Sequence, residues 1–135
     1  MGWFRRTRQN EADSETQRAS ATAVAERLTV VQTSEELDAV FAAPIAMLYK
    51  HSTRCSTSSY ALSHIRRFAA AQPDLPVFLV DVHAGRAASN EMAERTGIPH
   101  QSPQAFILRA GKVVWTGSHS DVTKPILEEA LARVE

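Results

Sequence analysis

A second cysteine is missing from these 135 residues, and its absence excludes more than any single motif does. With Cys55 alone, no intramolecular disulfide can form. The chain is therefore not a disulfide-stapled secreted scaffold, and a reducing compartment, the cytoplasm, is the expected location. Net charge is missing too, because fifteen basic side chains cancel fifteen acidic ones. That balance gives no long-range pull toward nucleic acid or an anionic membrane surface, and neither is expected as a partner. No apolar run approaches the roughly 18 residues of a transmembrane helix. The opening "MGWFRRTRQNEADSETQRAS" lacks the apolar stretch of a signal peptide, and Arg6 stands where a myristoylation motif wants Ser or Thr. The five histidines (51, 64, 83, 100 and 119) and the one cysteine show no ligand spacing, so no metal is expected.

What is present is an ordinary globular composition, 44% hydrophobic and 22% charged, enough for one domain with one core. Residues 1–25 are polar and mixed in charge and read as a disordered tail, in which Trp3 and Phe4 pack loosely or dock. The domain is expected over residues 26–135. There "LTVVQT" is a short β-like run, and in "TSEELDAVFAA" Thr33 and Glu36 match a capping box ahead of an apolar stripe at Leu37, Val40 and Phe41. Ile45–Lys50 is almost continuously apolar, as in a strand covered on both faces. Leu62, Ile65, Phe68 and Ala69 recur at helical spacing within Ser58–Gln72, and Val77–Val82 is a second buried strand. "SNEMAERTG" predicts a short helix capped by Ser89 or Asn90 and stopped at Gly97. "QAFILRAGKVVWTG" predicts a hairpin turning at Ala110-Gly111, with glycine supplying the positive φ. Ile126, Leu127, Ala130, Leu131 and Val134 stripe a last helix with Pro125 in its first turn.

The order β-α-β-α-β-α-β-β-α, with right-handed crossovers and one hairpin, predicts an α/β domain: a mixed four- to five-stranded sheet sandwiched by helices, in the thioredoxin-like arrangement. In such sheets function gathers at the carboxyl ends of the strands. Cys55 falls there, between the Ile45–Lys50 strand and the following helix. Unpaired N–H groups and the helix dipole favour a thiolate at that position, and the thiolate is the form that attacks disulfides. The alternative, a buried structural thiol, fits poorly with the almost wholly polar neighbours in "YKHSTRCSTSS". Arg54 and His51 could add positive charge, and the hydroxyls of Ser52, Thr53, Ser56, Thr57 and Ser58 can cap the helix or donate to sulfur. Ser102-Pro103 precedes a buried strand, an entry position where a cis peptide is possible without being the rule; Pro99 is the rival. His119 reads as a surface residue near the same face.

"YKHSTRCSTSS" and "FLVDVHAGRAASNEMAERTGIPHQSPQAFILRAGKVVWTGSHSDVT", in that order and spacing, resemble the YtxJ family of monothiol bacilliredoxins, a branch of the thioredoxin superfamily. The likeness spans about Leu28 to Val134. It implies a thioredoxin-like fold, Cys55 as the nucleophile of a C-x-x-S site, and Ser102-Pro103 as the cis-proline element of the thiol groove. Thr53, Arg54, Ser58, Ser102 and Pro103 are the implied substrate-binding residues. The implied activity removes bacillithiol from mixed disulfides on oxidised client proteins. No cofactor is bound; bacillithiol is the co-substrate, and a second low-molecular-weight thiol regenerates Cys55. With no second cysteine, resolution must come from outside the chain, and Ser58 stands where a dithiol enzyme keeps its resolving cysteine. A monomer is expected, with a Cys55 disulfide dimer as the alternative. One departure is plain: the family often has Thr-Cys-Pro-Ile-Ser where this chain has Arg54-Cys55-Ser56-Thr57-Ser58.

Three other readings fit parts of the pattern. A glutathione-dependent monothiol glutaredoxin also has one cysteine with serine three residues on, but its Cys-Gly-Phe-Ser motif is absent. A peroxidase of the one-cysteine kind would find Ser52 in place, but not the upstream proline. A non-catalytic binding module on the same scaffold needs no reactive thiol at all.

Overall fold

Strand β2, Ile45–His51, runs through the middle of the sheet, and its residues Ala46 to Lys50 are completely shielded from solvent. The computed structural model describes residues 27–135; the expected tail, with Trp3 and Phe4, lies outside them. The elements are β1 (Leu28–Val30), α1 (Ser34–Ala42), β2, α2 (Ser56–Ala71), β3 (Val77–Asp81), α3 (Arg86–Thr96), β4 (Gln104–Arg109), β5 (Lys112–Ser118) and α4 (Lys124–Val134). The strands lie in the order β1-β3-β2-β4-β5. β1, β3 and β2 are parallel, whereas β4 runs antiparallel to β2 and β5 antiparallel to β4. This is the mixed, helix-sandwiched sheet that the pattern of runs predicts. Among the described residues no helix is long and apolar enough to cross a membrane.

Alternation along β2 divides the core into two layers, because successive side chains of a strand point to opposite faces. Met47 and Tyr49 pack with Ala105 and Ile107 of β4 under Ile65 and Phe68 of α2 and Leu127 and Leu131 of α4. Ala46 and Leu48 pack with Phe106 and Leu108 under Leu37 and Val40 of α1 and Ala88 and Met92 of α3. Lys50 shares the parity of Leu48, so its side chain enters the α1/α3 layer, while Tyr49 and His51 share the α2/α4 side.

The element ends show where local rules hold and where packing overrides them. The Thr33–Glu36 capping box forms as expected, with both reciprocal hydrogen bonds. Gly97, at φ 69°, ends α3. The hairpin turns at Ala110 and Gly111, but both residues are left-handed, at φ 49° and 79°, as a type I′ turn requires. A Cβ on Gly111 would also meet the Phe41 carbonyl oxygen at 3.0 Å.

Two helix starts differ from expectation. α2 begins at Ser56 rather than Ser58, which makes Cys55 itself the N-cap residue. α3 begins at Arg86, one residue after Gly85, not at Ser89 or Asn90. The reason is a turn built by Asp81, whose Oδ1 accepts the N–H groups of His83 (2.8 Å) and Ala84 (2.9 Å) and so starts the helix early. Gly85 lies tight against the end of β3, where a Cβ would be 3.0 Å from Val80 Cγ2 and 3.1 Å from two carbonyl oxygens. A short 3₁₀ turn at His119–Asp121, closed by Ser118 and Asp121, follows β5 and has no counterpart in the expected order.

Candidate functional site

β2 delivers the chain to the carboxyl edge of the sheet, and residues Ser52 to Arg54 turn it into α2 with Cys55 at the junction. The turn closes on itself: Cys55 N–H donates to Ser52 C=O (3.3 Å), and Arg54 N–H to Ser52 Oγ (3.3 Å). Cys55 has extended backbone angles, as an N-cap residue must. Its thiol is half-exposed and free. In the thiol form Sγ makes no capping hydrogen bond to the first turn. The N–H groups of Ser58, foremost, and Thr57 nevertheless face it and pull its pKa below the ordinary thiol value; the Thr57 and Ser58 hydroxyls add to this, against a smaller rise from desolvation. Four orphan donors at a helix start are suited to an anion, and here the nearest candidate anion is the thiolate.

Ser58 is fully buried, and its Oγ lies 3.5 Å from Ser102 Oγ, at the long limit of a hydrogen bond. The Ser102-Pro103 peptide is cis, and it is the cis bond found among the described residues; Pro99 is trans. Cys55, Ser58, Ser102 and Pro103, far apart in sequence, therefore meet at one end of the sheet. Thr53 and Arg54 lie on the exposed rim of the loop. The groups that lower the Cys55 pKa are those of the first turn of α2, and Arg54 is not among them. His119 touches the same loop: its N–H donates to Pro103 C=O (3.0 Å) and its Nε2 lies 3.1 Å from Gln101 Oε1.

Tyr49 and Gln104, with no assigned role in the sequence pattern, and His51, expected to add positive charge but neutral in its buried place, hold this arrangement. Tyr49 O–H donates to Ser58 C=O at 2.8 Å, and its oxygen is 3.0 Å from His51 Nδ1. A phenol has one proton, so His51 must supply the second hydrogen bond as an Nδ1–H donor. The chain His51→Tyr49→Ser58 runs through the floor of the site and fixes the residue whose N–H faces the sulfur. Burial raises the Tyr49 pKa, which keeps the phenol a donor, and lowers that of His51, which keeps the imidazole neutral. Gln104, buried at the start of β4, braces the proline loop: it accepts Gln101 N–H (3.1 Å) and donates to Pro99 C=O (3.2 Å). The i, i+2 spacing of Tyr49 and His51 was the available signal for that pair, because it puts both on one strand face. Gln104 carried none. Among the described residues no three metal-ligating side chains gather.

Known proteins share this architecture. Residues 26–127 match the family described as monothiol bacilliredoxin BrxC. A solved candidate oxidoreductase with a thioredoxin fold is 25% identical, with a TM-score of 0.74 over 80% of this chain and 96% of that one. Thioredoxin from Trypanosoma brucei brucei superposes with a TM-score of 0.67 at 15% identity, over 79% of this chain and 89% of that one. Thioredoxin from Fasciola hepatica gives 0.65 at 16% identity, over 79% and 99%.

Proposed function

The chain belongs to the monothiol bacilliredoxin BrxC family, a family of thiol oxidoreductases on the thioredoxin fold, and from that premise we propose that it removes bacillithiol from mixed disulfides on oxidised proteins. The observation that carries the reading is the position of the one cysteine: N-cap of α2, with its pKa lowered by the N–H groups of Ser58 and Thr57, beside the Ser102-Pro103 loop.

The chemistry balances as two thiol–disulfide exchanges. The Cys55 thiolate attacks the bacillithiol sulfur of the mixed disulfide, the S–S bond to the client cysteine breaks, and the client leaves as a thiolate. Cys55 now carries bacillithiol. A second low-molecular-weight thiolate then attacks that bacillithiol sulfur, forming a small-molecule disulfide and returning Cys55 as thiolate. Oxidation state is conserved in each step, and both leaving groups take up protons from water. Ser58, in the place of a resolving thiol, cannot form the internal disulfide that would compete. In this reading Thr53 and Arg54, on the exposed rim of the loop, and Ser102 with Pro103 contact the incoming disulfide.

Intact mass after incubation with bacillithiol disulfide and, separately, glutathione disulfide tests the reading. One bacillithiol adduct, on Cys55 and reversed by excess thiol, is expected. No adduct with either disulfide contradicts thiol exchange, and a glutathione adduct alone contradicts the choice of bacillithiol.

A further inference from the structure

Lys50 is the anomaly of the core. It is completely buried in the α1/α3 layer, and among the described residues it has no carboxylate partner. Its Nζ donates to Ser89 C=O (3.0 Å) and to His100 Nδ1 (3.2 Å), and lies 5.8 Å from the centre of the Phe106 ring. Two neutral acceptors and a ring face do not offset the cost of a buried cation, and burial pulls its pKa down to about 8. At neutral pH it is still mostly charged.

The side chain ends behind a cavity of about 300 Å³ lined by Val82, His83, Arg86, Ser89, Asn90 and His100. Because the Lys50 ammonium donates a hydrogen bond to His100 Nδ1, that nitrogen is unprotonated and the ring proton sits on Nε2, leaving His100 a fixed donor. Arg86 adds a guanidinium that takes part in no ion pair among the described residues. The Asn90 amide adds further donors. Among the described residues no carboxylate lines the cavity; Asp81, on the strand beside it, turns Oδ1 to the N–H groups of His83 and Ala84. A cavity with Arg86 and the His100 and Asn90 N–H groups on its lining, and the Lys50 ammonium behind His100, is suited to an anion.

The cavity adjoins the thiol loop. His83 Nε2 is 3.1 Å from Ser52 Oγ, and Cys55 N–H donates to the carbonyl of the same Ser52. We propose that this cavity holds the carboxylate-bearing part of the low-molecular-weight thiol while its sulfur is bonded to Cys55, with Arg86 and His100 as the recognising groups. This rests on the thiol-exchange reading above and adds what selects the small thiol. Bacillithiol carries its carboxylates on a malyl group; glutathione, the other source of the same chemistry, carries two of its own.

The test compares three mixed disulfides of one client protein, with bacillithiol, glutathione and uncharged 2-mercaptoethanol. Arg86→Gln should lower the kcat/KM ratio of the bacillithiol adduct to the mercaptoethanol adduct by about fivefold or more, mainly through KM. A ratio unchanged by the substitution, with both rates equal to wild type or both reduced, overturns the proposal. A ratio that falls for the glutathione adduct alone supports a carboxylate site but assigns it to glutathione. L-malate titrated into Cys55→Ser protein, followed by side-chain NMR, should shift His83, Arg86 and His100 signals, and Arg86→Gln should abolish those shifts. Equal shifts with chloride at matched ionic strength overturn it. Wild-type protein that turns over only the mercaptoethanol adduct contradicts the bacillithiol reading, and the malate titration then decides the cavity independently.

Discussion

The first turns of α1 and α2 are the same local element put to opposite uses. In α1, Thr33 Oγ1 accepts Glu36 N–H (3.1 Å) and Glu36 Oε1 accepts Thr33 N–H (3.2 Å), so both strands of the cap are satisfied by the chain itself. In α2 the N-cap is Cys55, whose thiol makes no such bond. The donors of Thr57 and Ser58 are left for a charge that exists only when the thiol ionises. A closed cap adds its stability without any change of state in the N-cap residue, whereas an open cap transfers that stabilisation to a reactive state. The pairing of Tyr49 with Ser58 C=O then holds the open turn in place from below, a support α1 does not need.

The comparison can be broken most severely at the sulfur. Cys55→Ser should reduce exchange with disulfide substrates by at least about a thousandfold, with melting temperature little changed, measured by single-turnover mass spectrometry and calorimetry. Next comes the support. Tyr49→Phe leaves His51 and Ser58 C=O without their shared partner and should cost about 1–2 kcal/mol of stability in urea unfolding. It should also raise the Cys55 pKa and slow exchange at neutral pH several-fold, which a purely structural hydrogen bond would not do.

Lys50→Met separates the other face of β2 from the site face. A lysine whose folded pKa is depressed to about 8 binds fewer protons folded than unfolded between there and its usual 10.5. Wild-type stability should therefore rise with pH across that window, with a contribution of at most about 1.4 kcal/mol per pH unit. Lys50→Met should lack this rise, as read from urea midpoints at successive pH values. Thr33→Ala, which opens the closed cap, should cost about 1 kcal/mol in urea unfolding and leave the exchange rate of the folded protein unchanged. Smallest of all is Ser56→Pro. The first helical position tolerates proline and has no N–H facing the sulfur, so stability should rise by about 0.5 kcal/mol with the thiol pKa unaltered.

Much of this was legible in the residues because local and tertiary preferences agree there. The apolar runs at Ile45–Lys50 and Val77–Val82, the Thr33–Glu36 box, Gly97 and the Ala110-Gly111 turn each specify one local conformation that the fold then uses. The position of Cys55 at the sheet edge followed from element order alone, and the bacilliredoxin likeness from motifs on both sides of it. The missed features depend on partners remote in sequence. α3 starts at Arg86 because Asp81 Oδ1, five residues earlier, builds a turn that no side-chain cap announces. Tyr49 reads as one more core residue until Ser58 lies above its hydroxyl. Lys50 ends an apolar run with nothing in the sequence to name its partners, and strand parity drives it into the α1/α3 layer, where Ser89 and His100 receive it. Arg27, at the start of the domain, carries no signal in the pattern, yet its guanidinium donates to the carbonyls of Ala69 and Leu75 and closes the far end of α2.

The most direct test of the open cap is the ionisation of Cys55, followed by the ultraviolet absorbance of the thiolate across a pH titration, with Cys55→Ser protein subtracted as the blank. The account predicts a midpoint below the ordinary thiol value of about 8.5, moved upward in Tyr49→Phe. A midpoint at or above that value in the wild-type protein would contradict it.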